Sequence, residues 1–358
     1  MKIAFFSTTL PEPQRKPGGV DVNLDRLAER LARTHELTVF SFSPRPEGRH
    51  YDHVRLSPGQ LRYSPLARLT IVPLLMNARR FSVDVLHLHG DDHLLLRRRL
   101  PTVRTFYGSA REEARTATRW LRRANCSVAY AMELLASRLA TASYAISPGA
   151  GSEFRVRGVL PPGADVHARH DADRFVRPTI LFVGTWAGRK RGELLARIFQ
   201  TVVRPAVPDA ELIMVSDHAE ALPGVRLVVR PTDAELAALM RGAWVFSLPS
   251  SYEGFGIPYL EAMATGVPVV ASDNVGSRYV LDGGRAGKIV ADDQLGPTIV
   301  AILCSGELRS DLSDRGLERA QFFSWERTVS LHEQAYRASI DAWITSRGPK
   351  YRLRFARK

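Results

Sequence analysis

Two glutamates bracket a glycine-bearing loop in the run Ser250-Ser251-Tyr252-Glu253-Gly254-Phe255-Gly256-Ile257-Pro258-Tyr259-Leu260-Glu261-Ala262-Met263. Pro258 suits the first position of a helix and Gly266 the residue just past its end, so the spacing predicts a helix over about 258–265. Glu261 then falls in the first turn. The amides of that turn, with those of Gly254, Phe255 and Gly256, converge on one spot and favour a phosphate there. Carboxylates flanking a phosphate repel further anions and pair well with neutral hydroxyls. Sugar and ribose hydroxyls meet that requirement, and the leading reading is a nucleotide-sugar site.

A second segment, Val183-Gly184-Thr185-Trp186-Ala187-Gly188-Arg189-Lys190-Arg191-Gly192, reads as a strand end followed by a helix start. When a sugar leaves a nucleoside diphosphate, negative charge grows on the departing phosphate. Fixed cations in a water-poor site stabilise that change more than they stabilise the ground state. Lys190 or Arg191 is the candidate for this contact. A merely exposed basic helix start is disfavoured, because cations there oppose the helix dipole.

Three further segments sit at or beyond strand ends. Pro17-Gly18-Gly19-Val20 lacks the G-x-G-x-x-G spacing of a dinucleotide fingerprint, so it is either a plain turn or a phosphate approach through Gly19. Tyr107, in Thr105-Phe106-Tyr107-Gly108-Ser109, offers a phenol that donates a hydrogen bond yet stays neutral near pH 7; the alternative is a half-buried core tyrosine. The run His87-Leu88-His89-Gly90-Asp91-Asp92-His93 invites a metal. From position alone, the competing reading has Asp91, Asp92 or His93 meeting acceptor hydroxyls.

The elements that would carry these segments alternate. Strand patterns fall at Ile3–Ser7, Leu37–Phe42, Val83–His87, Val103–Phe106 and Tyr144–Ile146, with helical spacing of Leu24, Leu27, Ala28 and Leu31 and a longer helical region over 111–139. The turn-rich Leu160-Pro161-Pro162-Gly163-Ala164-Asp165 is the best linker. Beyond it come strand Thr179–Val183, helix Arg191–Val203, strands Leu212–Val215 and Arg226–Val229, a helix from Thr232, strand Val245–Leu248, the glutamate helix and strand Val267–Ala271. This predicts an α/β chain of two Rossmann-like, doubly wound domains facing a central cleft. Residues 1–165 form the first and 166–323 the second; 324–358 add a last helix and a basic tail. Ligands of such sheets lie beyond the carboxyl ends of the strands.

Composition sets the outer limits. At 358 residues, 45% hydrophobic and 24% charged, the chain reads as an ordinary two-domain globular protein. No apolar run approaches the roughly 20 residues that span a bilayer. The opening Met1-Lys2-Ile3-Ala4-Phe5-Phe6-Ser7 reads as a strand rather than a leader, and two distant cysteines, Cys126 and Cys304, fit a reducing compartment, so the expectation is cytoplasmic. The net charge of +13 collects at Arg79-Arg80, Arg97-Arg98-Arg99, Arg122-Arg123 and the tail 350–358. No nucleic-acid motif accompanies it, which leaves a solvated surface or peripheral contact with an anionic membrane at its inner face.

The segment 250–276 resembles the signature of the retaining, GT-B-fold glycosyltransferases of family four, whose two glutamates are separated by seven residues as Glu253 and Glu261 are. The resemblance implies that Glu253 meets the donor sugar, Glu261 the ribose, and Gly254, Phe255, Gly256 and Ile257 the distal phosphate. Gly19 and Gly184 would approach the donor, and base contacts would be main-chain near Arg230. Thr185 stands where the family shows an arginine, Arg191-Gly192 where Lys-Gly is common, and Tyr107 where a histidine is frequent. Arg189 is the candidate substitute for the missing arginine. The resemblance also implies no metal and no cofactor, the nucleoside diphosphate sugar being a co-substrate, and a final helix from Ser324 that returns to the first domain. The implied reaction is transfer of a hexosyl unit to a hydroxyl of a glycan, a lipid-linked or a small-molecule acceptor, with retention. Rival readings are a same-fold epimerase or phosphorylase, a degenerate sugar-nucleotide-binding partner protein, and a basic membrane or nucleic-acid adaptor.

Overall fold

The computed structural model describes residues 1–12, 18–56, 77, 81–90, 95, 100–116, 120–167 and 173–347. The chain forms two compact units, Met1–Gly163 together with the helix Trp325–Arg347, and Ala164–Ser324. The first unit holds strands β1 (Lys2–Phe6), β2 (Glu36–Ser41), β3 (Asp52–Arg55), β4 (Val85–Leu88), β5 (Thr102–Phe106) and β6 (Ala142–Ala145). The second holds β7 (Thr179–Val183), β8 (Glu211–Val215), β9 (Val225–Val228), β10 (Val245–Leu248), β11 (Val269–Ser272) and β12 (Lys288–Val290).

Both sheets are parallel throughout, with orders β3-β2-β1-β4-β5-β6 and β12-β11-β10-β7-β8-β9. Each is the doubly wound order, as the strand–helix alternation predicts. It reverses between β1 and β4 in one unit and between β7 and β10 in the other. Such a reversal leaves a crevice beyond the strand ends, which is where doubly wound sheets bind ligands. The segments read as chemical from the sequence follow β1, β4, β5, β7 and β10, the strands at or beside these two points.

The central strands are apolar runs because both faces are covered. In the first unit Ile3, Phe5, Val39, Val85 and Val103 face one core, and Ala4, Phe6, Phe40, Leu86 and Leu88 face another. The former core is completed by Trp325, Ala335 and Tyr336 of the last helix. Burying side chains of this size contributes roughly 2 kcal/mol each. The Arg30 guanidinium lies 4.3 Å over the Trp325 ring and fixes the start of that helix.

Three differences from the sequence reading have local causes. The edge strands β3 and β12 were not predicted: Asp52-His53-Val54-Arg55 carries one apolar residue, and β12 is three residues long. The helix expected over 191–203 runs from Gly192 to Ile198 and then through a π turn, Phe199–Val203, into Arg204–Ala206. Pro205 has no N–H to give an α-helical ladder, and the wider turn ahead of it accommodates that loss.

Candidate active site

The loop after β10 is held in place from beneath. Gly256 adopts φ +94° at the mouth of the helix Ile257–Ala264, a conformation that side-chain-bearing residues avoid, and a Cβ there would lie 2.3 Å from the Tyr259 ring. Tyr259 is fully buried and its hydroxyl donates to the Leu248 carbonyl (3.1 Å), pinning the helix start to the strand end. Burial, aided by the nearby Glu253 charge, pushes its pKa well above the ordinary phenol range. Phe255 turns inward against Tyr279 and Phe323, so at this position the loop offers a ligand its backbone.

A second brace comes from the turn after β11. Asn274 Nδ2 donates to the carbonyls of Ser250 (3.1 Å) and Ser272 (3.2 Å), while its Oδ1 accepts the amides of Gly276 (3.1 Å) and Ser277 (2.9 Å). The helix Val275–Val280 starts at this cap. A Cβ on Gly276 would come within 2.6 Å of the carbonyl oxygens of both Glu253 and Phe255, so glycine is what lets the two turns lie this close. Asn274 and Gly276 escaped the sequence reading. Their signal was an asparagine N-cap directly after a strand, in Ser272-Asp273-Asn274-Val275-Gly276-Ser277.

Glu253, 6% exposed, is the charged centre of this arrangement. Its Oε1 meets Lys190 Nζ at 2.6 Å and Arg189 Nη1 at 2.7 Å, and Arg189 Nη1 also donates to the Tyr252 carbonyl at 2.8 Å. A buried carboxylate needs such partners to offset lost hydration. The cations are presented by the 3₁₀ turn Gly188–Lys190, whose Arg189 carbonyl accepts the Ser251 amide (2.9 Å).

Arg191 has different work. It adopts a left-handed φ of +53° and donates through Nε to Pro249 O (2.6 Å) and through its terminal nitrogens to Ser272 Oγ (2.8 Å) and Asp292 Oδ2 (2.7 Å). Lys190 and Arg189 therefore turn to Glu253, while Arg191 laces three strand-end loops together. Thr185 is exposed and its hydroxyl donates to Ala187 O at 2.9 Å. Gly184 closes β7, with its amide on Val215 O (3.0 Å).

Glu261 requires a correction. The helix starts at Ile257, so Glu261 is its fifth residue, half-buried, and the first turn holds no acid. Pro258 occupies the second helical position rather than the first. Gly266 lies past the end with φ +72°. Arg230, exposed and left-handed at φ +51°, follows the end of β9.

In the first unit Gly19 opens the helix Gly19–Leu31. The buried Asp21 of its first turn accepts from Thr9 Oγ1 (2.8 Å) and the Gly18 amide (3.1 Å), joining the loop after β1 to this helix. Tyr107, half-buried just past β5, pairs through Oη with His89 Nδ1 at 2.7 Å. His87 Nδ1 meets Tyr336 Oη and its Nε2 meets Thr105 Oγ1, each at 2.8 Å. Burial lowers the pKa of His87 and His89 far below the imidazole range, and that of His332 to about 4. Asp91, Asp92 and His93 lie outside the described residues. Among the described residues, no group of three His, Cys, Asp or Glu is placed to hold a metal ion. Asp21 escaped the sequence reading although its Gly18 contact lies only three residues away, and His89 was read only within the candidate metal run because Tyr107 is eighteen residues further on.

Comparison with known proteins bears on the family and the fold. Residues 17–182 match the family model described as Glycosyltransferase Family 4, and 177–304 match that described as Glycosyl transferases group 1. The chain is similar to a GDP-mannose-dependent alpha-mannosyltransferase of Mycolicibacterium smegmatis, 30% identical over 317 residues that cover 77% of this chain and 81% of that protein. It is 33% identical over 205 residues to a phosphatidyl-myo-inositol mannosyltransferase of the same species, covering 52% of this chain and 53% of the relative, so this match spans about half of that protein's length. Among solved structures, the sucrose-phosphate synthase of Thermosynechococcus elongatus superposes with a TM-score of 0.79 at 21% identity, covering 95% of this chain and 99% of that one.

Proposed function

Because the chain belongs to the family 4 glycosyltransferases and has their GT-B fold, we propose that it moves a hexosyl unit from a nucleoside diphosphate sugar to an acceptor hydroxyl, with retention at the anomeric carbon. The observation that carries this reading is Glu253, buried beside Lys190 and Arg189 at the edge of the Gly254–Ile257 loop. Both cations share Oε1, so Oε2 is the oxygen assigned to the sugar hydroxyls. The loop amides and the helix mouth take the distal phosphate. Lys190 and Arg189 stabilise the charge that grows on the leaving diphosphate, and they need no reorganisation to do so. Arg189 thereby stands in for the arginine that Thr185 replaces.

Glu261 is assigned to the ribose, the backbone near Arg230 to the base, Gly184 and Gly19 to the phosphates, and Tyr107 to a sugar oxygen. Asp91, Asp92 and His93 are assigned to the acceptor. The departing phosphate serves as the base that takes the acceptor's proton. The name of the Mycolicibacterium smegmatis relative makes GDP-mannose the first donor to try. A lipid-linked acceptor at an anionic surface is the finer form of the proposal, supported by the basic run 350–358 and by apolar side chains exposed on the helix Trp120–Leu139.

Glu253→Gln keeps the side-chain volume and removes the charge. It is expected to lower donor turnover, read as released nucleoside diphosphate, by about a hundredfold, the size of one lost transition-state contact, with an unchanged circular dichroism spectrum. Turnover equal to the wild type rejects the assignment of Glu253.

A further inference from the structure

The inward ring of Phe255 has consequences apart from freeing the loop's backbone. It is 1% exposed and meets the rings of Phe323 at 5.4 Å and Tyr279 at 6.0 Å, centroid to centroid. Tyr279 and Phe323 stand 5.8 Å from each other. All three pairs are edge-to-face, at 69°, 87° and 70°, so the rings close a triangle. In a packed interior a turn of one such ring crowds the next.

Two corners of the triangle are tied to other parts of the second unit. Tyr279 belongs to the helix Val275–Val280, whose Gly276 already lies against the Phe255 carbonyl. Phe323 is fully buried, and its carbonyl accepts the Ala164 amide at 2.9 Å. Ala164 is the first residue of the unit and forms an isolated parallel bridge with Ser324, the last. Arg319 joins the two corners. It donates to the carbonyls of Tyr279 (2.7 Å) and Val280 (3.2 Å), and its guanidinium lies 4.7 Å over the Phe323 ring. One ring contact thus separates the loop from the residues that begin and end the unit, and every group named lies within 164–324.

A ligand on the loop amides takes away the loop's freedom, and Phe255 is then fixed together with its backbone. A fixed Phe255 restrains Phe323, and Phe323 restrains the hydrogen bond that pairs the unit's ends. Coupling of this kind runs through order rather than displacement. It is also reciprocal, so whatever steadies the ends steadies the loop. We propose that Phe323 is a positioning residue for the Gly254–Ile257 loop, acting through Phe255, and that it links ligand binding there to the order of the paired ends. The chain enters and leaves the second unit at these ends, so a ligand held by this unit alone is felt at both of its connections. The choice of a nucleoside diphosphate as ligand rests on the glycosyl-transfer reading; the ring contacts do not.

Amide hydrogen exchange on the full chain tests it in two arms. In the first, GDP, UDP and ADP are each added to saturation, and binding is read as protection of the 254–257 amides. A bound diphosphate should slow exchange at Ala164 roughly tenfold, within the usual span of coupling between sites. In Phe255→Leu and in Phe323→Leu the same ligand should still protect the loop and leave Ala164 nearly unchanged. A bound ligand that has no effect on Ala164 in the wild type, or an equal effect in either variant, overturns the proposal. The second arm needs no ligand. Phe323→Leu should speed exchange in 254–257, and Phe255→Leu should speed it at Ala164, each several-fold beyond Phe199→Leu. Phe199 is a comparably buried ring of the same unit and serves as the control for general loosening. Increases no larger than the control's overturn the coupling. If no diphosphate protects the loop, that result counts against the proposed function, and the second arm decides the coupling.

Discussion

Three buried imidazoles in the first unit link single residues to stability. An unfolded chain takes up protons at histidine near pH 6.5. In the folded chain burial holds His87 and His89 neutral far below that, and His332 until about pH 4. The unfolded state therefore binds more protons throughout this interval, and stability falls as pH drops from about 6.5 towards 4. Glu133 opposes this: burial raises its pKa to about 7, so it disfavours the folded state as pH climbs from about 4.5 to 7. Three groups outweigh one. Thermal midpoints are expected to fall between pH 6.5 and 4, with a shallower fall in His332→Leu; a flat wild-type profile would mean that the imidazoles are solvated. At this scale the sequence was legible where chemistry is local. Glu253 and the glycines beside it announce themselves by spacing. His89 and Gly276 do not, because each acts on something brought near only by folding.

Elements were legible in proportion to their burial. The central strands carry unbroken apolar runs, and the helix after Gly256 carries a proline at one end and a glycine at the other, which set its limits to within a residue. Edge strands β3 and β12 lack such a signal because half of their surroundings is solvent or loop. The helix Trp120–Leu139 shows the reverse case, an element that is clear in sequence yet carries apolar residues it does not bury. Trp120 is 75% exposed and Leu121 and Val128 54% each, and the neighbouring Arg122 and Arg123 are also exposed. Among the described residues no helix is long and apolar enough to cross a membrane. Such a face suits an interfacial position at an anionic surface, where each arginine adds about 1 kcal/mol. Co-sedimentation with phosphatidylglycerol vesicles is expected, weakened by Val128→Glu and by removal of residues 350–358. Binding that neither change weakens would remove the membrane from the proposal.

Along the chain, one unit interrupts the other. Residues 164–324 own every strand of their sheet, and their two ends meet: the Ala164 amide donates to the Phe323 carbonyl at 2.9 Å. The first unit is interrupted, since its core takes Trp325, Ala335 and Tyr336 from beyond the insertion. The fragment 164–324 is expected to melt cooperatively by itself and to bind a nucleoside diphosphate sugar. Residues 1–163 alone are expected to stay loose and to bind a hydrophobic dye; a sharp melt from that fragment would show that the last helix is dispensable.

The borrowed helix also sets a calendar for biosynthesis. A ribosome releases the strands of the first sheet early, yet Tyr336, which caps His87, is translated only after the entire inserted unit. The portion made second is thus the portion able to finish first, since domains fold as units while the nascent chain grows. The earlier strands must wait with one apolar flank unsheltered, and that interval is where a chaperone would find this chain.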